Sequence, residues 1–149
     1  MHSDIRSGKL QVSLDNVYIL PVESNSFDRV FHTNCYYFWD NMPLACAELY
    51  RCMKPNSMMV TCLNLDRIIQ LTKDGHFKND NPSPVYYMNV LHLTGFKHIQ
   101  IKYFKCQDTQ RDFCAIFAHI HEKDEDEKLR QIAIEQLKAE EQSKDSEVL

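Results

Sequence analysis

Apolar and polar residues follow three patterns along this chain. Alternating or β-rich segments predict strands at residues 10–14, 27–33 and 98–103. Nearly continuous apolar runs at residues 58–65 and 113–120 are typical of strands that are buried on both faces. The chain is therefore expected to contain five strands.

Helical spacing and capping residues predict helices between these strands. Asp40 or Asn41 can cap a helix with Pro43 in its first turn, and Lys54-Pro55 ends it. A second helix is expected over residues 84–94, ended by Gly95, and a short one over residues 67–71. The amino-terminal residues 1–9 read as the end of a helix that Gly8 closes.

The order of these elements favours an α/β layered sheet. About ten residues without a helix separate the last two strands, which permits an antiparallel pair but not a parallel crossover. Residues 1–121 are expected to form one domain. Residues 122–149 are expected to form a charged helical tail with an apolar stripe from Leu129 to Leu137.

Charge and composition exclude several partners. From Glu122 onward there are ten acidic and five basic residues, which leaves 12 basic and 11 acidic residues in the body. A near-neutral body gives no electrostatic footprint for nucleic acid. Without an apolar run of about 18 residues or a signal peptide, we expect no membrane partner and a cytoplasmic location. The six cysteines form no CxxC pair, so we expect free thiols and no metal site.

Two segments resemble a known family. Residues 20–31, LPVESNSFDRVF, are similar to the LPFPDNSFDxVF stretch of small-molecule methyltransferases. Tyr37-Phe38-Trp39 and residues 48–55, ELYRCMKP, look like the family's YFW and EIYRVLKPGG motifs. The chain thus resembles a class I S-adenosylmethionine-dependent methyltransferase of the type 11 group, over about residues 5–120.

The resemblance implies only the carboxyl-terminal half of that domain. The family's sheet has the strand order 3-2-1-4-5-7-6, and this chain would supply strands 3, 4, 5, 6 and 7, the last antiparallel, plus a C-terminal helix. The family's glycine-rich cofactor loop follows its strand 1. Here only Gly8, Gly75 and Gly95 exist, and none lies within five residues of another. Backbone that approaches a ligand closely needs such glycines, so we expect a partial Rossmann-like fold without that loop.

The resemblance also implies a partial binding site. The carboxylate after strand 3 would bind the adenine of S-adenosylmethionine, and the end of strand 4 would lie under the sulfonium. The implied cofactor contacts are Asp15, Asn16, Thr33, Asn34 and Cys35. The implied contacts with a small-molecule acceptor are Tyr36, Tyr37 and Trp39.

Structural alternatives exist for each of these residues. Asp15 is also a common turn residue, and the aromatic residues 36–39 could simply pack over the end of the sheet. His32 is the nearest general-base candidate, but its place in a strand pattern is more typical of a packed or surface histidine.

Three functional hypotheses remain open. The chain could be a methyltransferase domain, catalytic only when the missing half completes it. It could be a non-catalytic, truncated relative that binds partners, or another copy of itself, through the exposed edge of the strand at residues 27–33 or through its C-terminal helix. It could also be a nonfunctional gene fragment. The methyl acceptor is not identified by any of these residues.

Overall fold

The computed structural model describes residues 2–77, 82–123, 134 and 136. Four helices and four strands lie in these ranges. In chain order they are α1 (His2–Arg6), β1 (Phe27–Thr33), α2 (Met42–Cys52), β2 (Met53–Leu63), α3 (Leu65–Lys73), α4 (Pro84–Thr94), β3 (Lys97–Lys105) and β4 (Asp112–Ile120), with a 3-10 turn at Tyr36–Phe38 before α2.

The strands form one sheet in the order β1-β2-β4-β3. β1 and β2 are parallel, whereas β4 runs antiparallel to both β2 and β3. A short turn, in which the Cys106 N–H donates to the Arg111 carbonyl at 2.9 Å, joins β3 to β4. The predicted α/β class and the antiparallel last pair are confirmed.

The strand predicted at residues 10–14 is wrong. These residues adopt no regular structure, and the side chain of Leu14 is fully exposed. A strand needs a neighbour to satisfy its peptide groups, and the described residues place none beside this segment. Alternation of apolar and polar residues could not supply that partner, so four of the five expected strands form.

Caps place the helices where the sequence predicts them. The Asn41 side chain accepts a hydrogen bond from the Leu44 N–H at 3.1 Å, and Pro43 lies in the first turn of α2. Ser83 caps α4 in the same way, and Gly95 ends it with a φ of 123°. The helix expected at residues 67–71 is longer, because Asn64 caps it as early as Leu65.

The main core lies between the sheet and the helices α2, α3 and α4. Alternate residues of β2 and β4, such as Met59, Thr61 and Ala118, face this core and are buried. The opposite side of the sheet carries the row Phe31, Val60, Phe117 and Gln100, matched across the four strands. We call this side the open face; there Phe31 is 81% exposed.

The charged helical tail predicted for residues 122–149 lies outside the described residues, apart from positions 122, 123, 134 and 136. Among the described residues, none of the helices is long and apolar enough to cross a bilayer.

Candidate functional site

The carboxyl ends of the parallel strands β1 and β2 form the centre of the candidate site. Thr33, exposed at the end of β1, pairs with Cys62 of β2. The next residue, Asn34, has a φ of 50°, donates its N–H to the Cys62 carbonyl at 3.1 Å and accepts the Asn64 N–H on its side chain at 3.0 Å. Asparagine tolerates this left-handed conformation. Asn34 therefore ties together the two strand ends, where α/β sheets bind ligands.

His32 lies in a polar cluster one residue before this end. Its Nε2 is 2.9 Å from the Tyr87 hydroxyl and 2.9 Å from the Thr61 hydroxyl, and those two hydroxyls are 2.9 Å apart. Its Nδ1 is 3.2 Å from the Cys35 thiol. Both ring nitrogens are therefore occupied by neighbours within the protein.

Burial lowers the pKa of His32 to about 4, because the charged imidazolium is poorly solvated there. The ring is therefore neutral at pH 7 and is a weak base. This geometry favours the packed role over the general-base role that the sequence left as an alternative. Thr61 and Tyr87, which hold the ring, gave no recognisable sequence signal, because they lie 29 and 55 residues away along the chain.

Two of the predicted acceptor contacts are core residues. Tyr36 is buried, stacks on Tyr87 with ring centroids 4.2 Å apart, and donates its hydroxyl to the Pro82 carbonyl at 2.9 Å. Tyr37 is also buried and meets the Phe77 ring edge-to-face at 5.4 Å. The structure therefore favours the packing alternative for both tyrosines.

The remaining residues of this turn are more accessible. Phe38 is exposed, Trp39 is half-buried with its ring 5.2 Å from that of His32, and Cys35 is half-buried. Burial raises the pKa of the Cys35 thiol, which therefore stays protonated at neutral pH. Trp39 and Cys35 are the predicted contacts within this turn that keep partial access to this edge of the sheet.

Asp15 and Asn16 lie in an exposed turn that is separate from the sheet. The Ser13 hydroxyl donates to the Asp15 carboxylate, and the Asn16 side chain accepts the Tyr18 N–H at 3.0 Å. The Tyr18 hydroxyl in turn accepts the Asn41 N–H at 3.1 Å, which fixes the following loop against the start of α2. The described contacts show turn formation at Asp15, and its adenine role stays a prediction.

An open groove adjoins the strand ends. Its volume is about 740 Å³, within the range of small-molecule sites. It lies between α3 and the start of α4, and its lining is mainly apolar, from Leu65, Ile68, Ile69, Phe77, Pro84 and Tyr86. The sequence analysis did not predict this groove, although its two walls, residues 65–77 and 82–86, follow each other closely along the chain. In the described parts of the chain, no group of His, Cys, Asp or Glu side chains is placed to hold a metal ion.

Comparison with known proteins agrees with this geometry. Residues 3–61 match the family profile described as a methyltransferase domain. These residues make up less than half of the chain, so the match shows a resemblance to methyltransferase domains. A search of curated protein sequences gave no significant match.

Solved methyltransferase structures share the fold. A possible histamine N-methyltransferase from Thermotoga maritima is similar, with a TM-score of 0.59 and 18% identity over 80% of this chain and 68% of the other. An Archaeoglobus fulgidus methyltransferase gives 0.57 and 18%, over 75% and 68%. A Haemonchus contortus phosphoethanolamine N-methyltransferase gives 0.52 and 12%, over 72% and only 36%. At these identities the likeness concerns the fold alone, and this chain spans about one to two thirds of the length of those proteins.

The described residues could contact only one side of a nucleoside cofactor. The ends of β1 and β2, with Asn34 between them, form one wall. Gly8 and Gly75 have positive φ angles, but each stands in open space and neither adjoins these strand ends in the sheet. A complete cradle for such a cofactor is therefore not formed by the described residues of this chain.

Proposed function

We propose that this chain is the carboxyl-terminal half of an S-adenosylmethionine-dependent methyltransferase domain, which transfers a methyl group to a small-molecule acceptor once a glycine-bearing segment completes it. The observation that carries the proposal is the sheet order β1-β2-β4-β3, with β1 parallel to β2 and β4 inserted antiparallel. This order corresponds to the 4-5-7-6 part of the family's sheet.

In this proposal the chain's own residues orient the reactants. Asn34 and Thr33 shape the wall beneath the cofactor, because Asn34 fixes the relative position of the two strand ends. The bound cofactor would supply the methyl group. Aligned approach of two bound reactants lowers the barrier without requiring a base from the protein, which agrees with a neutral, fully engaged His32.

We infer that the acceptor is a small, largely apolar molecule that binds in the groove between α3 and α4. The groove adjoins the strand ends because Asn64, which caps α3, donates its N–H to Asn34. Phe77, in the groove wall, also contacts Tyr37 and Phe38 of the aromatic turn. Apolar walls favour an aromatic or aliphatic acceptor over a polyanionic one.

The test compares two proteins by calorimetry with S-adenosylhomocysteine. The first is the 149-residue chain alone, for which we expect no binding at micromolar concentrations. The second joins the amino-terminal half of the Thermotoga maritima protein ahead of Leu20, for which we expect micromolar binding. A chimaera that is folded by circular dichroism but does not bind would refute the proposal. Tight binding by the chain alone would refute the requirement for completion.

A second candidate function is that of a non-catalytic interaction module. The observation that favours it is β1, which lies at the edge of the sheet and exposes Phe27 and Phe31. Isolated strand edges with large apolar side chains are surfaces to which other chains bind. In that case neither protein above binds the nucleoside, and the chain associates through β1.

A further inference from the structure

β1 has one free edge. It pairs with β2 along one side, and the described residues place no strand along the other. Alternate peptide groups of residues 27–33 therefore point outward without a strand partner. Such an edge is a template for another strand, since its donors and acceptors are already aligned.

Side chains protect this edge only in part, through the two charged residues Arg29 and Asp28, of which Asp28 forms an ion pair with Lys54 of β2 at 3.1 Å. On the open face β1 carries Phe27, Arg29 and Phe31, and the two phenylalanines are 42% and 81% exposed. Edge strands that avoid association usually carry inward-pointing charges, prolines or bulges. Here two large aromatic side chains border the free edge, and a partner strand would cover part of both.

The sequence of β1 is complementary to itself when two copies run antiparallel and centre on Val30. All seven residues then pair, Arg29 lies opposite Phe31 of the second copy, and Phe27 lies opposite Thr33 of the second copy. A cation facing an aromatic ring is a favourable cross-strand pair. The acidic residue Asp28 lies opposite the neutral His32 of the second copy, so no like charges face each other.

The neighbouring registers are poorer. Centring on Arg29 places two guanidinium groups directly opposite each other, which is destabilising. Centring on Phe31 keeps only residues 29–33 paired and loses the ends of the strand. A shift by a single residue would move the partner's phenylalanines to the opposite side of the sheet.

We propose that β1 pairs antiparallel with β1 of a second copy of this chain, centred on Val30, so that two four-stranded sheets form one sheet of eight strands. This association does not rest on the proposed methyl transfer. It uses the same edge at which a completing strand would enter, so the two kinds of association exclude each other.

The experiment measures the dimer dissociation constant of the full chain by sedimentation equilibrium. We expect a dimer for the unchanged chain at micromolar concentration. F31K places a cation opposite Arg29 twice in each dimer and should weaken it about tenfold or more, given the size of cross-strand pair energies. F31E places an anion there and should leave the dimer intact. The control L93K changes an equally exposed residue of α4 and should have no effect.

A rescue variant tests the register itself. Combining F31K with R29E restores opposite charges across the pair and should recover the dimer to within about threefold. Equal weakening by F31K and F31E would instead indicate nonspecific apolar association and overturn the proposal. A monomeric unchanged chain would also overturn it, and hydrogen exchange would then show whether another part of the chain protects the amides of β1. Circular dichroism checks that each variant is folded.

Discussion

Glu48 and Arg51, one turn apart on α2, form a two-point ion pair that holds the loop before β1. The Arg51 Nε and Nη2 each donate to a different Glu48 oxygen at 2.9 Å. Glu48 also accepts the Leu20 N–H at 2.8 Å, while Arg51 donates to the carbonyls of Leu20 and Val22. The hydrogen bonds that Arg51 donates to Glu48 raise the pKa of the Arg51 guanidinium. The pair, in which Glu48 is buried and Arg51 partly buried, therefore supplies the hydrogen-bond partners that the backbone of this irregular loop would otherwise lack.

Replacing Glu48 with Gln should destabilise the fold. Arg51 would keep its contacts with the loop but lose its counter-ion. Because Glu48 is only 1% exposed, water could not replace the lost carboxylate charge. Breaking such a pair costs about 3 kcal/mol. Urea denaturation followed by circular dichroism measures this loss.

Amide hydrogen exchange shows which part of the fold the E48Q substitution loosens. Amides of residues 20–24 should exchange faster in E48Q, whereas those of β4 should change only by the global loss. The matched control is Asp74→Gln, an exposed carboxylate at the end of α3 that bonds the Gln70 side chain. If E48Q and D74Q lose the same stability, the ion pair does not anchor the loop.

The sequence predicted helices and the inserted antiparallel hairpin well, because caps and short connections are local. Asn41, Pro43 and Gly95 act within one turn of their own helix ends. The strand at residues 10–14 could not be predicted correctly from local alternation, because its formation depends on a neighbour elsewhere in the chain.

The candidate site was harder to predict for the same reason. Positions 33–35 were predicted as cofactor contacts from the family resemblance, but the side chain of Asn34 bonds the Asn64 N–H, 30 residues away. Tyrosine is common both in protein cores and at binding surfaces, so residue type alone does not assign a role to Tyr36 and Tyr37. Only packing on Tyr87 and Phe77 distinguishes the two roles.

The half-buried His32 should make the free energy of unfolding depend on pH. Its folded pKa of about 4 lies below the unfolded value of 6.5, so the unfolded chain binds the proton more readily. The contribution of neutral His32 to the free energy of unfolding is fully present above pH 6.5 and decreases as the pH falls toward 4. The total loss is on the order of 3 kcal/mol.

The comparison with H32Q isolates this effect from the titrating carboxylates. The difference in unfolding free energy between the unchanged chain and H32Q should shrink as the pH falls from 7 to 4.5. The control L93A changes an exposed residue of α4 that does not titrate, so its difference should stay constant with pH. A pH-independent difference for H32Q would contradict the low pKa.

The groove between α3 and α4 should bind apolar aromatic molecules. Titration with 2-naphthol, followed by NMR, should shift the signals of Phe77 and Tyr86, which line it. Ile69→Asp places a charge in the lining and should weaken binding about tenfold, since it removes apolar surface worth more than about 1 kcal/mol. Lys73→Asp, on the same helix but outside the lining, is the control. Equal effects of both variants would argue against the groove as the binding site.

The stability of the fold should depend on which residue replaces Asn34, because its backbone has a left-handed conformation. Asn34→Ala loses the bond to the Asn64 N–H and also forces a Cβ-bearing side chain without compensating contacts into the left-handed region, at a φ of 50°. The expected loss is about 2 kcal/mol in urea denaturation. Asn34→Gly loses the same hydrogen bond but accepts the backbone conformation, so its loss should be about half as large. The control makes the same two replacements at Asn56, which has a similar φ of 58° but lies near the start of β2. The difference between alanine and glycine there measures the cost of the left-handed backbone alone, without the bond between the two strand ends. If N34A and N34G lose equal stability, the left-handed backbone is not what makes this position selective, and the side-chain bond alone holds the two strand ends together.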